Sequence, residues 1–218
     1  MTFADLLGPH RVVPVVVLDE VEGADGLGSS LVAGGLPVAE VTLRSPGASA
    51  VLGALAARGD LLVGAGTVVS VEQVDLALEA GAQFVVSPGV SAGVVRRCQE
   101  RDVPVVPGVS TATEIIAALD LGLDTVKLFP AEACGGLRTL AALAAAFPQV
   151  RFLPTGGITA ALASDYLAHP AVAAVGGSWM VAADLLRDRR WSEVADRCAG
   201  TVAATTAGLR GHLAGATA

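Results

Sequence analysis

Short valine-rich apolar runs alternate along this chain with longer Ala/Leu-rich stretches at helical spacing, eight times over in 218 residues. Strands that are apolar on both faces belong to parallel sheets covered by helices, because each strand must cross over through a helix to pair in parallel. The runs are Val12–Leu18, Pro37–Leu43, Leu61–Gly64, Phe84–Ser87, Val105–Pro107, Thr125–Phe129, Arg151–Pro154 and Ala173–Gly176. Each is followed by room for one helix. Two of those helices announce their starts: Ser70 with Gln73, and Thr111 with Glu114, have the spacing of a capping box. Eight such units in roughly 200 residues predict a (β/α)8 TIM barrel near the small end of its range, with the active site at the carboxyl ends of the strands. An open doubly wound sheet is the alternative; neither Gly26-Leu27-Gly28 nor Gly64-Ala65-Gly66 continues into the dinucleotide fingerprint. Thr2–Leu7 reads as an N-terminal extra helix and Ser192–Leu213 as a C-terminal one packed on the barrel, so residues 1–218 form a single domain.

Composition narrows the partners. Hydrophobic residues are 53% and charged residues 16%, the balance of a chain with much buried surface. A formal net charge of −7 argues against nucleic acid or an anionic membrane, which attract clustered Lys and Arg. Cys98, Cys134 and Cys198 lie far apart, and His10, His169 and His212 are equally scattered, so neither a disulfide framework nor a metal site is expected. The start lacks a basic segment followed by an apolar stretch, and no run of about 18 apolar residues occurs. A soluble cytoplasmic protein with reduced thiols is the expectation.

Lysine occurs once, at Lys127. In Thr125-Val126-Lys127-Leu128-Phe129, strand alternation turns Lys127 away from the helix layer and into the barrel. An ammonium there is costly, and desolvation favours the neutral amine, which attacks ketones. The same alternation in Glu40-Val41-Thr42-Leu43-Arg44 turns Glu40, Thr42 and Arg44 to one face. Two readings follow. Either Glu40 forms a structural ion pair with Arg44 or Lys127, or Glu40 shuttles protons for Schiff-base chemistry while Arg44 clamps a substrate carboxylate through two parallel hydrogen bonds. Glycine pairs follow the last two strands, in Thr155-Gly156-Gly157-Ile158 and Gly176-Gly177-Ser178-Trp179. Loops at those strand ends are the usual phosphate site of a barrel, although a single glycine pair also serves as a plain tight turn.

Together with Gly64-Ala65-Gly66-Thr67-Val68, Ser87-Pro88-Gly89 and Lys127-Leu128-Phe129-Pro130-Ala131-Glu132, these segments resemble the 2-keto-3-deoxy-6-phosphogluconate aldolase family, in order from about Val12 to about Asp184. The resemblance implies a class I aldolase, without cofactor or metal and usually a homotrimer. The implied reaction cleaves 2-dehydro-3-deoxy-6-phospho-D-gluconate to pyruvate and D-glyceraldehyde 3-phosphate. The galactonate epimer and 4-hydroxy-2-oxoglutarate are alternative substrates. Position by position, Lys127 matches the Schiff-base lysine, Glu40 the general acid/base and Arg44 the carboxylate-binding residue. Thr67, Pro88, Phe129 and Thr155 match the pyruvate pocket, and Gly156, Gly157, Gly177 and Ser178 the phosphate loops. Cys134 departs from the family, where many relatives carry asparagine.

Overall fold

A computed structural model describes residues 2–215, with side chains described for 2–206. His212 lies outside the latter range. Among the described residues, nine short strands are separated by helices except at β5–β6: α1 (Phe3–Leu7), β1 (Val12–Val16), α2 (Ala24–Ala33), β2 (Val38–Thr42), α3 (Ala48–Ala56), β3 (Leu62–Gly66), α4 (Val71–Glu79), β4 (Phe84–Val86), α5 (Ala92–Glu100), β5 (Val105–Val106), β6 (Gly108–Val109), α6 (Ala112–Asp120), β7 (Thr125–Leu128), α7 (Gly136–Ala146), β8 (Arg151–Phe152), α8 (Ala160–Ala168), β9 (Val175–Gly177), α9 (Ala183–Arg187) and α10 (Trp191–Gly215). Every strand pairing is parallel. Six strands lie in the order β5-β4-β3-β2-β1-β9 and three in the order β6-β7-β8, curled into a half-barrel of the α/β class.

Two sequence expectations need correction. The fifth run does not hold one strand from Val105 to Pro107. It breaks at Pro107, which has no N–H for the ladder, so β5 pairs with β4 while β6, resuming at Gly108, pairs with β7. The other concerns Ser70 and Gln73. Ser70 does cap α4 by accepting from the Gln73 N–H, but the Gln73 side chain reaches past it to the Val69 N–H at 2.7 Å. Of the two expected boxes, the reciprocal one forms at Thr111–Glu114; another, not read from the sequence, joins Thr2 and Asp5 at the start of α1.

Alternation along the strands divides the core in two. Val41, Ala65, Val85, Val126 and Leu128 pack toward the helices in the larger cluster. On the inner side Val13, Val38, Phe84, Val86, Val106, Leu153 and Ala174 form a smaller cluster around Phe3 and Leu7 of α1, with the Phe3 ring edge-on to Phe84 at 5.2 Å. Most of these inner residues stand at the strands' amino ends, so one end of the interior is filled with hydrocarbon. The carboxyl ends carry the buried polar residues Glu40, Thr42, Lys127 and Thr155 instead. Helix α10 packs on α2 and α8.

Candidate active site

Lys127 lies on β7 opposite Gly108, and Glu40 on β2 opposite Gly64. Neither faces the helices, since the apolar Val126, Leu128, Ala39 and Val41 occupy that side. The two side chains converge across the interior: Lys127 Nζ donates to Glu40 Oε1 at 3.1 Å, with Lys127 5% and Glu40 0% exposed. Of the ion pairs open to Glu40, this is the one formed. The other carboxylate oxygen, Oε2, is buried and accepts no hydrogen bond from the described residues. Such an oxygen carries a desolvation cost with no compensating bond, and it is free to take a proton from a molecule placed beside it. Lys127 Nζ also stands 5.1 Å from the centre of the Phe129 ring, a cation–π distance that shields one side of the ammonium from water.

Of the remaining expected residues, Thr67, Pro88, Arg44 and Thr155 stand just past the carboxyl ends of β3, β4, β2 and β8. Thr155, 5% exposed, follows β8; its N–H donates to Leu128 O, which ties it beside the lysine strand. Thr67 follows β3 with φ +59°, a left-handed conformation unfavourable for a β-branched residue and found chiefly where the surroundings enforce it. Pro88 follows β4, and its carbonyl lies so near Gly108 that a Cβ there would fall 2.1 Å away. Arg44 stands just past β2, exposed, with Nε donating to Thr42 Oγ1 at 3.2 Å; among the described residues it does not bond Glu40. The shared face read from alternation therefore ends at Thr42, because the chain turns after the strand.

The two glycine pairs meet. Thr155 bridges Gly176 and the Gly176 N–H donates to Pro154 O, which sets Gly156-Gly157 beside Gly177-Ser178. Gly156 and Gly157 have φ +100° and +80°, conformations natural only to glycine. At Gly177 a Cβ would fall 1.9 Å from the Trp179 ring, so that glycine is required by packing as well. Ser178 is exposed. Sequence reading missed Glu132 and Tyr166: the Tyr166 hydroxyl donates to the Glu132 carboxylate and the Glu132 N–H to Gly156 O, stitching α8 and the turn after β7 to the first glycine pair. Burial pushes the Tyr166 phenol well above its usual range and Glu132 adds to this, so it stays a donor. No cluster of His, Cys, Asp or Glu able to hold a metal exists among the described residues.

The buried amine–carboxylate pair, ringed by threonines and glycine turns, has the makings of carbonyl chemistry. A family model described as "Aldolase: KDPG and KHG aldolase" matches residues 4–197. The chain belongs to this family. Among KDPG and KHG aldolases it is 46% identical, over 89% of its length and 93% of the relative's, to the 2-dehydro-3-deoxy-phosphogluconate aldolase of Treponema pallidum. It is 47% identical to the KHG/KDPG aldolase of Escherichia coli strain K12, covering 83% of this chain and 85% of that one. A crystal structure of KDPG aldolase from Legionella pneumophila, with pyruvate captured as a covalent carbinolamine, superposes with a TM-score of 0.88 at 39% identity, covering 91% and 97% of the two chains. Among the described residues of this family member, no helix is long and apolar enough to cross a membrane.

Proposed function

We propose that this chain is a class I aldolase that cleaves 2-dehydro-3-deoxy-6-phospho-D-gluconate to pyruvate and D-glyceraldehyde 3-phosphate through a Schiff base on Lys127. The observation that carries the proposal is the buried Lys127–Glu40 pair with one carboxylate oxygen unengaged. Glu40 accepts the proton that Lys127 must lose, and the neutral amine attacks the C2 carbonyl to give a carbinolamine. Glu40 returns that proton to the departing hydroxyl, and water leaves as the iminium forms. Glu40 next takes the proton of the C4 hydroxyl. The C3–C4 bond breaks, its electrons flow into the iminium to give an enamine, and the aldehyde leaves. Protonation of the enamine and hydrolysis of the imine release pyruvate and restore the amine.

Arg44 grips the substrate carboxylate in this reading, and Thr67, Pro88, Phe129 and Thr155 line the pyruvate pocket. Gly156, Gly157, Gly177 and Ser178 receive the phosphate; their support is the Thr155–Gly176 bridge that sets the two loops side by side. The same reading takes residues 1–218 as one (β/α)8 barrel domain. The bridges Phe152–Val172 and Thr155–Gly176 between the β8 and β9 segments support closure, and the packing of Phe3 on Phe84 supports α1 as the extra helix at its base. The working enzyme is read as a cytoplasmic homotrimer that needs no metal or cofactor, a point checked by sedimentation and by activity in chelator. Cleavage of 4-hydroxy-2-oxoglutarate by the same steps is the second reading, favoured by the likeness to the E. coli KHG/KDPG aldolase.

Incubation with pyruvate and borohydride tests the mechanism: a reduced adduct on the peptide that holds Lys127 is expected. Absence of any adduct while cleavage activity is intact would remove the imine from the mechanism.

A further inference from the structure

Thr42 shares the inner face of β2 with Glu40, yet the reaction as written gives it nothing to do. Its hydroxyl is buried, at 3% exposure, and donates its one proton to Val16 O at 3.0 Å. With that proton committed, only the oxygen lone pairs face Arg44, whose Nε donates to Thr42 Oγ1 at 3.2 Å. The backbone repeats the constraint. The Arg44 N–H donates to Thr42 O at 2.8 Å, a three-residue turn that folds Arg44 back over the strand end. Neither Nη of Arg44 donates a hydrogen bond among the described residues.

We infer that Thr42 is a positioning residue for keto-acid recognition: it holds Arg44 by Nε so that the Nη1–Nη2 edge of the guanidinium is presented to the substrate carboxylate. An exposed arginine has many rotamers, and fixing one nitrogen beforehand lowers the ordering cost when the carboxylate arrives. The inference rests on the carboxylate-binding role proposed for Arg44. It assigns Thr42 an effect on affinity for the keto acid and none on the proton transfers at Glu40.

The test measures borohydride trapping against pyruvate concentration in folded variants, with folding checked by circular dichroism. Thr42→Val keeps the shape and removes the acceptor. It should raise half-saturating pyruvate by about tenfold, the worth of one hydrogen bond to a charged group, while the trapping rate at saturation stays within about threefold. Thr42→Ser should recover most of the affinity. Thr42→Ala removes the hydroxyl without setting a methyl against Val16 O; it should match the valine variant and serves in its place if that one fails to fold. In an Arg44→Ala background Thr42→Val should add nothing further. Saturation within twofold of the unaltered enzyme for Thr42→Val, equal losses for Val and Ser, or a full penalty persisting without Arg44 would each overturn the inference. If Arg44→Ala alone leaves saturation unchanged, the carboxylate role falls and this inference with it, an outcome told apart by that single variant.

Discussion

Lys127 is buried, and among the described residues its Nζ meets the Glu40 carboxylate and the face of Phe129. Lys127→Arg keeps a cation that cannot become a nucleophile, so turnover and trapping should vanish while the fold persists. Measurable cleavage by that variant would refute the imine. Glu40→Gln keeps the shape and loses the base; single-turnover cleavage should slow by about two to four orders of magnitude. A near-normal rate would leave Glu40 as a partner charge alone. Both residues were legible because strand alternation fixes the side to which they point. The choice of Lys127 over Arg44 as the partner of Glu40 was left open, since it depends on how β2 and β7 face each other across 87 residues of sequence. Thr67 shows the same limit: nothing local in Gly-Ala-Gly-Thr-Val announces a threonine at φ +59°.

Among the elements, each of the eight apolar runs overlaps a strand, because burial on both faces leaves a hydrophobic signature. Their ends were less legible. Strand β3 runs two residues past its expected end, to Gly66, because Glu40 and Thr42 pair with Gly64 and Gly66 and glycine carries no hydropathy signal. Pro107 closed the fifth run as read, but nothing in the sequence announced that a second short strand resumes at Gly108 to pair with β7. The cap of α6 was legible in full. There the Glu114 carboxylate accepts from the Ser110 and Thr111 N–H groups, which hold it below the usual carboxylate range near 4.5. Its charged form therefore stabilises the fold above that range, and the contribution fades as pH falls through the lowered native value. Glu114→Gln should lower the urea midpoint at pH 7, and the gap to the unaltered protein should close in acid; a gap independent of pH would contradict this. Thr111→Ala should cost about 1 kcal/mol in the same assay. Gly177→Val should lower stability itself through the Trp179 clash, so it is unsuited to testing phosphate recognition.

At the scale of the whole molecule, the order of the elements follows from the repeat, while the manner in which two short sheets curl around one interior depends on pairings that no single run contains. The thiols test that burial globally. Burial pushes the Cys98 thiol up to about 11 and the Cys198 thiol up to about 12, whereas Cys134 is half-buried in the turn after β7. At pH 8 a disulfide reagent should modify Cys134 alone in the native protein and all three cysteines in urea; native labelling of Cys98 or Cys198 would mean a looser core than described. The single lysine has a further consequence, for spectroscopy. Protein grown on lysine carrying 13C at its ε-carbon holds the isotope at one place in all 218 residues, inside the pair with Glu40. Its carbon spectrum reduces to one line, and if the imine proposed on Lys127 forms, that line should move when pyruvate is added.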